Sequence, residues 1–179
     1  MSRVSILPVE QANHFGPDEI IVSKTDLKGR ITYANDVFCR LAEMPTSDLI
    51  GMPHSIIRHP DMPRTIFRLL WDALGRGEEI FAYVKNMAKS GRYYWVFAHV
   101  TPSFDKNGHI NGYHSNRRFP NPKAIQKVSG IYRDILKAEQ GCVNAKDGLA
   151  AGHAFFIDML SAEGKDYSEF VWALENGDV

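Results

Sequence analysis

The chain has 179 residues, 44% apolar and 23% charged, with 21 basic and 21 acidic side chains that cancel to a formal charge of zero. That length suits one domain, or one domain with an appendage. The composition excludes general disorder, the balanced charge argues against a nucleic-acid binder, and no apolar run approaches the ~18 residues of a membrane span. Met1 to Glu10 lacks the basic start and apolar core of a signal peptide, so the expected location is the cytoplasm. Cys39 and Cys142, far apart and without a second pair, exclude a disulfide framework and a four-cysteine zinc site.

Residues 1–18 read as an irregular N-terminal cap segment. Glu19 to Asp26 reads as a strand, Leu27 to Arg30 as a turn with Gly29 at the position that tolerates positive φ, and Ile31 to Tyr33 as the second arm of a hairpin. Asn35 caps a helix over Asp36 to Ala42. Short broken pieces follow, stopped by Gly51 and by the prolines of Arg58-His59-Pro60-Asp61-Met62-Pro63, which restrict their predecessors as well as themselves. The next helix spans about Arg64 to Arg76, with Ile66, Leu69, Leu70, Ala73 and Leu74 as its apolar stripe. Three strands come next, about Ile80 to Met87, Tyr93 to Ser103 and Ile110 to Arg118, joined by Lys89-Ser90-Gly91 and by Asp105-Lys106-Asn107-Gly108, a strong hairpin signal.

This order implies an α+β fold, a five-stranded antiparallel sheet with helices on one face. Phe119-Pro120-Asn121-Pro122 then breaks the chain, and residues 122–179 form a C-terminal amphipathic helical extension. Its stripes are Ile125, Val128, Tyr132 and Ile135, then Leu149, His153, Phe156 and Leu160, with Phe170, Trp172 and Leu174 near the end. They must bury themselves on the sheet, on each other or on a second subunit.

The segments Ile31-Thr32-Tyr33-Ala34-Asn35-Asp36, Gly51-Met52-Pro53-His54, Arg58-His59-Pro60-Asp61-Met62-Pro63, Trp71, Val84-Lys85-Asn86 and Gly91-Arg92-Tyr93-Tyr94-Trp95 resemble the PAS domains of the Aer-type aerotaxis and energy-taxis sensors. The resemblance covers about Glu19 to Arg118, within a sensor domain of residues 19–121, in a stand-alone form without a receptor signalling domain. It implies the PAS fold, non-covalent FAD, and redox- or oxygen-linked signalling to a chemoreceptor-like or other signalling protein on a separate chain. It also implies a homodimer without nucleic acid or direct membrane insertion. Where the family often has Pro-Trp before the first meander strand, this chain has Glu79-Ile80.

The site residues implied are Asn35, His54, Arg58, His59, Asp61, Trp71 and Asn86. Strand alternation sets Val84 and Asn86 on one face and Lys85 on the other, so the Asn86 amide can meet the pyrimidine edge of a flavin; on the residues alone it is equally an Asn beside a turn. Arg58 suits a phosphate. Asp61 can orient His59 or Arg58, or cap the helix. Trp71 is core packing or a stacking partner, and Asn35 a helix cap or also a pocket residue.

A metal is not expected, because His54, His59 and Asp61 lack a fourth ligand and zinc-like spacing. Cys39 lies on the wrong helix for the cysteine adduct of light-sensing flavin domains. No Ser-His-Asp or Cys-His arrangement appears, so catalysis is not expected. The alternatives are a haem-binding gas sensor using His54 or His59 and a cofactor-free interaction module. For signalling, a rotated Asn86 amide is expected to alter bonds to the two following strands and, through Arg117-Arg118, the Pro120/Pro122 hinge.

Overall fold

The computed structural model describes residues 6–178; the start of the expected N-terminal cap segment, residues 1–5, and Val179 lie outside the described residues. The elements in order are β1 (Ile21–Thr25), β2 (Ile31–Ala34), α1 (Asp36–Ala42), α2 (Thr46–Leu49), a 3-10 turn (His54–Ile57), α3 (Arg64–Gly75), β3 (Ile80–Met87), β4 (Tyr93–Phe104), β5 (Ile110–Arg118), α4 (Pro122–Gln140), α5 (Ala145–Ala162) and α6 (Tyr167–Asn176). The strands form one sheet in the order β2-β1-β5-β4-β3, antiparallel throughout.

Local chemistry accounts for the joints. The Asp26 carboxylate accepts from the backbone N–H groups of Lys28 and Arg30, and Gly29 takes φ +71°, which favours glycine. Asn35 caps α1 by accepting from Phe38 N–H. It also accepts from Val22 N–H and donates to the Ile20 carbonyl, so one side chain ties β1 to α1. Residues 9–13 run beside the start of β4, where Tyr93 N–H donates to the Gln11 carbonyl and Asn13 N–H to the Tyr93 carbonyl.

The register divides the sheet into two unlike faces. Ala82 pairs with Ala98, Val84 with Val96, and Asn86 with Tyr94; alternation puts these on the inner face. That face is covered by α1 to α3 through buried Phe38, Leu41, Leu49, Ile57 and Ile66. Phe81, Tyr83, Lys85, Trp95, Phe97 and His99 point the other way. Against them the extension lays Trp172, with ring centroids 4.7 Å from Phe81 and 5.8 Å from Phe97, and Tyr132, 6.0 Å from Trp95. Thus α1 to α3 occupy one face and the extension takes the opposite one.

The extension belongs to the folded body. Its Val128, Ile135, Phe156, Leu160, Phe170, Val171 and Leu174 are buried, each contributing about 1.5–3 kcal/mol. It also reaches the backbone of β3, an edge strand. Tyr132 Oη donates to the Tyr83 carbonyl at 2.8 Å and Tyr167 Oη to the Phe81 carbonyl at 3.0 Å. The next outward carbonyl, of Lys85, accepts from His59 N–H at 3.4 Å.

The stripe of α5 differs from its expectation. Gly148 and Gly152 are buried in its first half, rather than Leu149 and His153, before the pattern rejoins at Phe156 and Leu160. A hydrophobicity pattern does not register glycines whose role is close approach. No helix among the described residues is long and apolar enough to cross a membrane.

Candidate functional site

Between the inner face and α3 lies a cleft of about 270 Å³, at the small end of ligand pockets. Its floor is Val84, Ala98 and Val100, and its roof is Phe67, Leu70 and Trp71 from α3. Such a narrow apolar gap suits a planar ring. Trp71 is 44% exposed at the mouth, its ring 5.3 Å from that of Tyr113 in an edge-on contact.

The polar groups of the cleft come from three elements. Asn86, 3% exposed, stands on β3 with its Nδ2 unpartnered. Arg58 flanks it, since Arg58 and Asn86 form an isolated backbone bridge. The Arg58 guanidinium lies 3.9 Å from the centroid of the Phe67 ring and donates to the Met62 carbonyl. Burial lowers its pKa, opposed by Glu139 and helped by Arg64.

The third contribution is Arg117, on β5 opposite Ala98. This guanidinium is 5% exposed and has no carboxylate partner among the described residues. It donates to Ser23 Oγ at 2.7 Å and to His54 Nε2 at 2.6 Å, leaving Nη1 unpartnered. Burial lowers its pKa to about 10, against an opposing contribution from Tyr94. Arginine has only donors, so His54 Nε2 must accept and the imidazole proton sits on Nδ1. Burial first, then the Arg117 charge, lower the His54 pKa to about 3 and keep it neutral. The nearby Tyr94 Oη and Ser115 Oγ, on the same face of the sheet, are also buried without partners.

Of the seven residues expected from sequence, the structure brings His54, Arg58, Trp71 and Asn86 into the cleft and leaves Asn35, His59 and Asp61 outside it. The oxygen and nitrogen of the Asn35 amide are engaged by backbone around α1. Asp61, with its side chain 58% exposed, pairs with Lys85 Nζ at 2.6 Å on the outer side. His59 is buried, its Nδ1 accepting from Asp61 N–H and its Nε2 unpartnered. Burial lowers its pKa, with Lys85 acting in the same direction and Asp61 and Glu10 opposing. These three shape the strand and loop rather than line the gap. Asp61 does not cap α3: its N-cap position is Pro63, with no side-chain cap of its own.

Sequence reading missed Arg117 as a site residue. Alternation along β5 was the available signal: Tyr113, Ser115 and Arg117 share one face, and the apolar or small neighbours on β4 mark it as the inner one. The expected route from Asn86 through both following strands also needs correction. Among the described residues β3 is an edge strand whose only sheet neighbour is β4. The other backbone contact of Asn86 is with Arg58 in the loop.

A sheet in the order 2-1-5-4-3, flanked by short helices around an apolar cleft with a polar wall, defines a small α+β domain with the form of a ligand-binding module. Residues 31–116 match the family described as the PAS fold, and this part of the chain has that fold. Residue by residue, it is similar to the aerotaxis receptor of Escherichia coli (strain K12), with 37% identity over 126 residues, covering 70% of this chain and 25% of the receptor. The nitrogen fixation regulatory protein of Klebsiella pneumoniae is 28% identical over 110 residues, covering 62% of this chain and 21% of that protein. The chain therefore spans about a quarter of the length of these relatives. Among solved structures, a light-oxygen-voltage domain studied with a flavin analogue superposes with a TM-score of 0.56 at 17% identity, over 64% of this chain and 87% of that one; this likeness concerns the fold.

Proposed function

We propose that this chain is an FAD-binding PAS sensor of redox state or oxygen for aerotaxis or energy taxis. In this reading residues 19–121 sense and residues 122–179 convey the signal, by conformational change, to a chemoreceptor-like or other signalling protein on a separate chain. The observation that carries it is the polar wall of the cleft. Asn86 Nδ2 and Arg117 Nη1 are buried donors without acceptors, and a buried cation without an anion costs several kcal/mol. A flavin ring, planar and edged with carbonyl and nitrogen acceptors, fits that demand. The similarity to the aerotaxis receptor favours this ligand class and this signalling role.

Bound FAD would supply reversible electron transfer. Val84, Ala98, Val100, Phe67 and Leu70 would exclude water from the ring, and Trp71 would cover the mouth. Asn86 and Arg117 would orient the polar edge, Arg117 being held by His54 and Ser23. Arg58 would meet the pyrophosphate at the opening. Asn35, His59 and Asp61 act by holding β1, the loop and Lys85 in place. The Asn86 amide can present its oxygen or its nitrogen to the ring edge, which lets it follow a change of protonation there.

The haem alternative requires a free imidazole nitrogen in the cleft, whereas His54 Nε2 is taken by Arg117 and His59, whose Nε2 is unpartnered, lies outside the cleft. The absorption spectrum of purified protein is the test. Two bands in the near-ultraviolet and blue, with FAD released on denaturation, support the proposal. A Soret band, or no visible absorbance after incubation with FAD, overturns it. Light scattering tests the accompanying proposal of a cytoplasmic homodimer, which predicts twice the 20.2 kDa chain mass.

A further inference from the structure

The extension touches α3, the roof of the cleft, through a buried carboxylate. Glu139, on the last turn of α4 and 5% exposed, reaches back some 75 residues to the start of α3. Its Oε1 accepts from Thr65 N–H at 2.8 Å and from Thr65 Oγ1 at 2.9 Å. Its Oε2 accepts from Arg64 N–H and Arg64 Nε, both at 3.1 Å.

A helix start leaves backbone donors unsatisfied, and a nearby negative charge also suits its dipole. Pro63 cannot meet that need, having no side-chain acceptor. Glu139 meets it from another element, as a cap supplied in trans. Around it the packing is made close. A Cβ on Gly152 would stand 2.6 Å from Glu139 Cγ and 2.7 Å from Thr65 Oγ1, and one on Gly148 would stand 2.2 Å from the Glu139 carbonyl oxygen. Arg64 Nη1 further donates to the Ala145 carbonyl, so α5 is tied in as well.

We infer that Glu139 is the coupling residue between the ligand cleft and the C-terminal helices. α3 carries Phe67, Leu70 and Trp71 over the cleft and follows directly on the loop bearing Arg58. A shift of its first turn must therefore carry α4 and α5 along, or leave a buried carboxylate and two backbone donors unpaired. The Tyr132 and Tyr167 hydroxyls attach the same extension to β3, and Tyr167 packs on the cluster that holds Ala73 and Leu74 of α3, but neither hydroxyl bonds to α3. Coupling is reciprocal: if ligand in the cleft lowers the equilibrium population of the open extension about tenfold, a protein that holds the extension open weakens that ligand about tenfold. The ligand part of this inference rests on the flavin reading above; the capping part does not.

Hydrogen exchange on the full chain separates the two. Without added ligand, Glu139→Gln puts an amide NH2 where an acceptor is needed. It should speed exchange about tenfold or more at Arg64 and Thr65 and, together with them, at the α4–α5 junction. Tyr132→Phe should loosen α4 only around Tyr132, and leave Arg64, Thr65 and the α4–α5 junction unchanged. Adding Pro63→Ser to Glu139→Gln supplies a local cap, and should restore the first turn of α3 while the α4–α5 junction stays loose. With FAD, the unmutated chain should gain protection both at Asn86 and across α4–α5, and Glu139→Gln only at Asn86. The inference is overturned if Glu139→Gln loosens just one of the two regions, if the local cap restores both, or if α4–α5 still responds to FAD in that variant. Thr65→Val, which removes one of the four bonds, should give the same pattern in smaller measure and serves if Glu139→Gln does not fold. If FAD protects nothing and leaves no flavin spectrum, the flavin reading fails, and the capping role stands or falls on the ligand-free measurements.

Discussion

The two faces of the sheet are finished differently. On the outer face the chain completes itself: Phe81, Trp95 and Phe97 are covered by Trp172 and Tyr132, and the Tyr83 hydroxyl is bound by Glu175 at 2.5 Å. On the inner face lie four buried polar atoms without partners, on Asn86, Tyr94, Ser115 and Arg117. Native proteins hold few such groups, and each needs a reason. One face is bonded by its own sequence; the other is arranged for something the chain does not supply.

The sharpest way to break this contrast is to uncover the finished face. Truncation after Asn121 exposes the aromatic cluster and removes nine buried apolar side chains, so a loss on the order of 5 kcal/mol or more is expected. It should appear as unfolding or aggregation in thermal scans and size-exclusion chromatography. A truncated chain with unchanged melting and solubility would mean the extension is not part of the core.

Arg117→Met tests the unfinished face. Removing a buried cation that lacks an anion should change ligand-free stability by less than about 1 kcal/mol, or raise it. The same change should weaken FAD about 10–100-fold, since a bond to a charged group is worth roughly 1.5–3 kcal/mol. Denaturant melts and flavin titration read the two effects separately. A large loss of stability with intact flavin binding would reverse the assignment of the faces.

Tyr132→Phe is the smaller test of the outer face. It deletes one hydroxyl and leaves the Tyr83 carbonyl unpaired, for about 1–3 kcal/mol, with flavin affinity unchanged. The smallest effect concerns pH. The His54 pKa is depressed to about 3 in the folded chain and is near 6.5 unfolded. The unfolded state thus binds more protons as pH falls below about 6.5, and stability declines. Between pH 7 and 5 the contribution is roughly 1–2 kcal/mol. His54→Asn should flatten that part of the stability–pH curve; an unchanged slope would show that His54 titrates normally.

The elements were legible where local signals agree. Asp36 to Ala42 was marked by Asn35 at its cap and by Phe38 and Leu41 on one face, and the three-strand meander by glycine turns. Half of the cleft was legible through the loop around Arg58 and the alternation at Asn86. What escaped depends on tertiary placement. Arg117 looks like a basic residue at a strand end until β5 is set between β1 and β4. Glu139 looks like a solvated charge near a helix terminus, because the donors it serves are some 75 residues away and Pro63 only hints that they need a partner. Gly148 and Gly152 carry no hydrophobic signal, yet they let α5 come close enough to enclose that carboxylate.

The three tied carbonyls along β3 bear on assembly. An edge strand with free carbonyls is a template on which another chain can add a strand. Here the outward carbonyls of Phe81, Tyr83 and Lys85 are occupied in turn by Tyr167, Tyr132 and the backbone of His59. Two of the three donors belong to the extension. While it is seated, a partner cannot lengthen the sheet at this edge and must read side chains. When it lifts, the same movement that bares the aromatic face opens a run of main-chain acceptors, so release of the extension changes the kind of recognition available as well as the area.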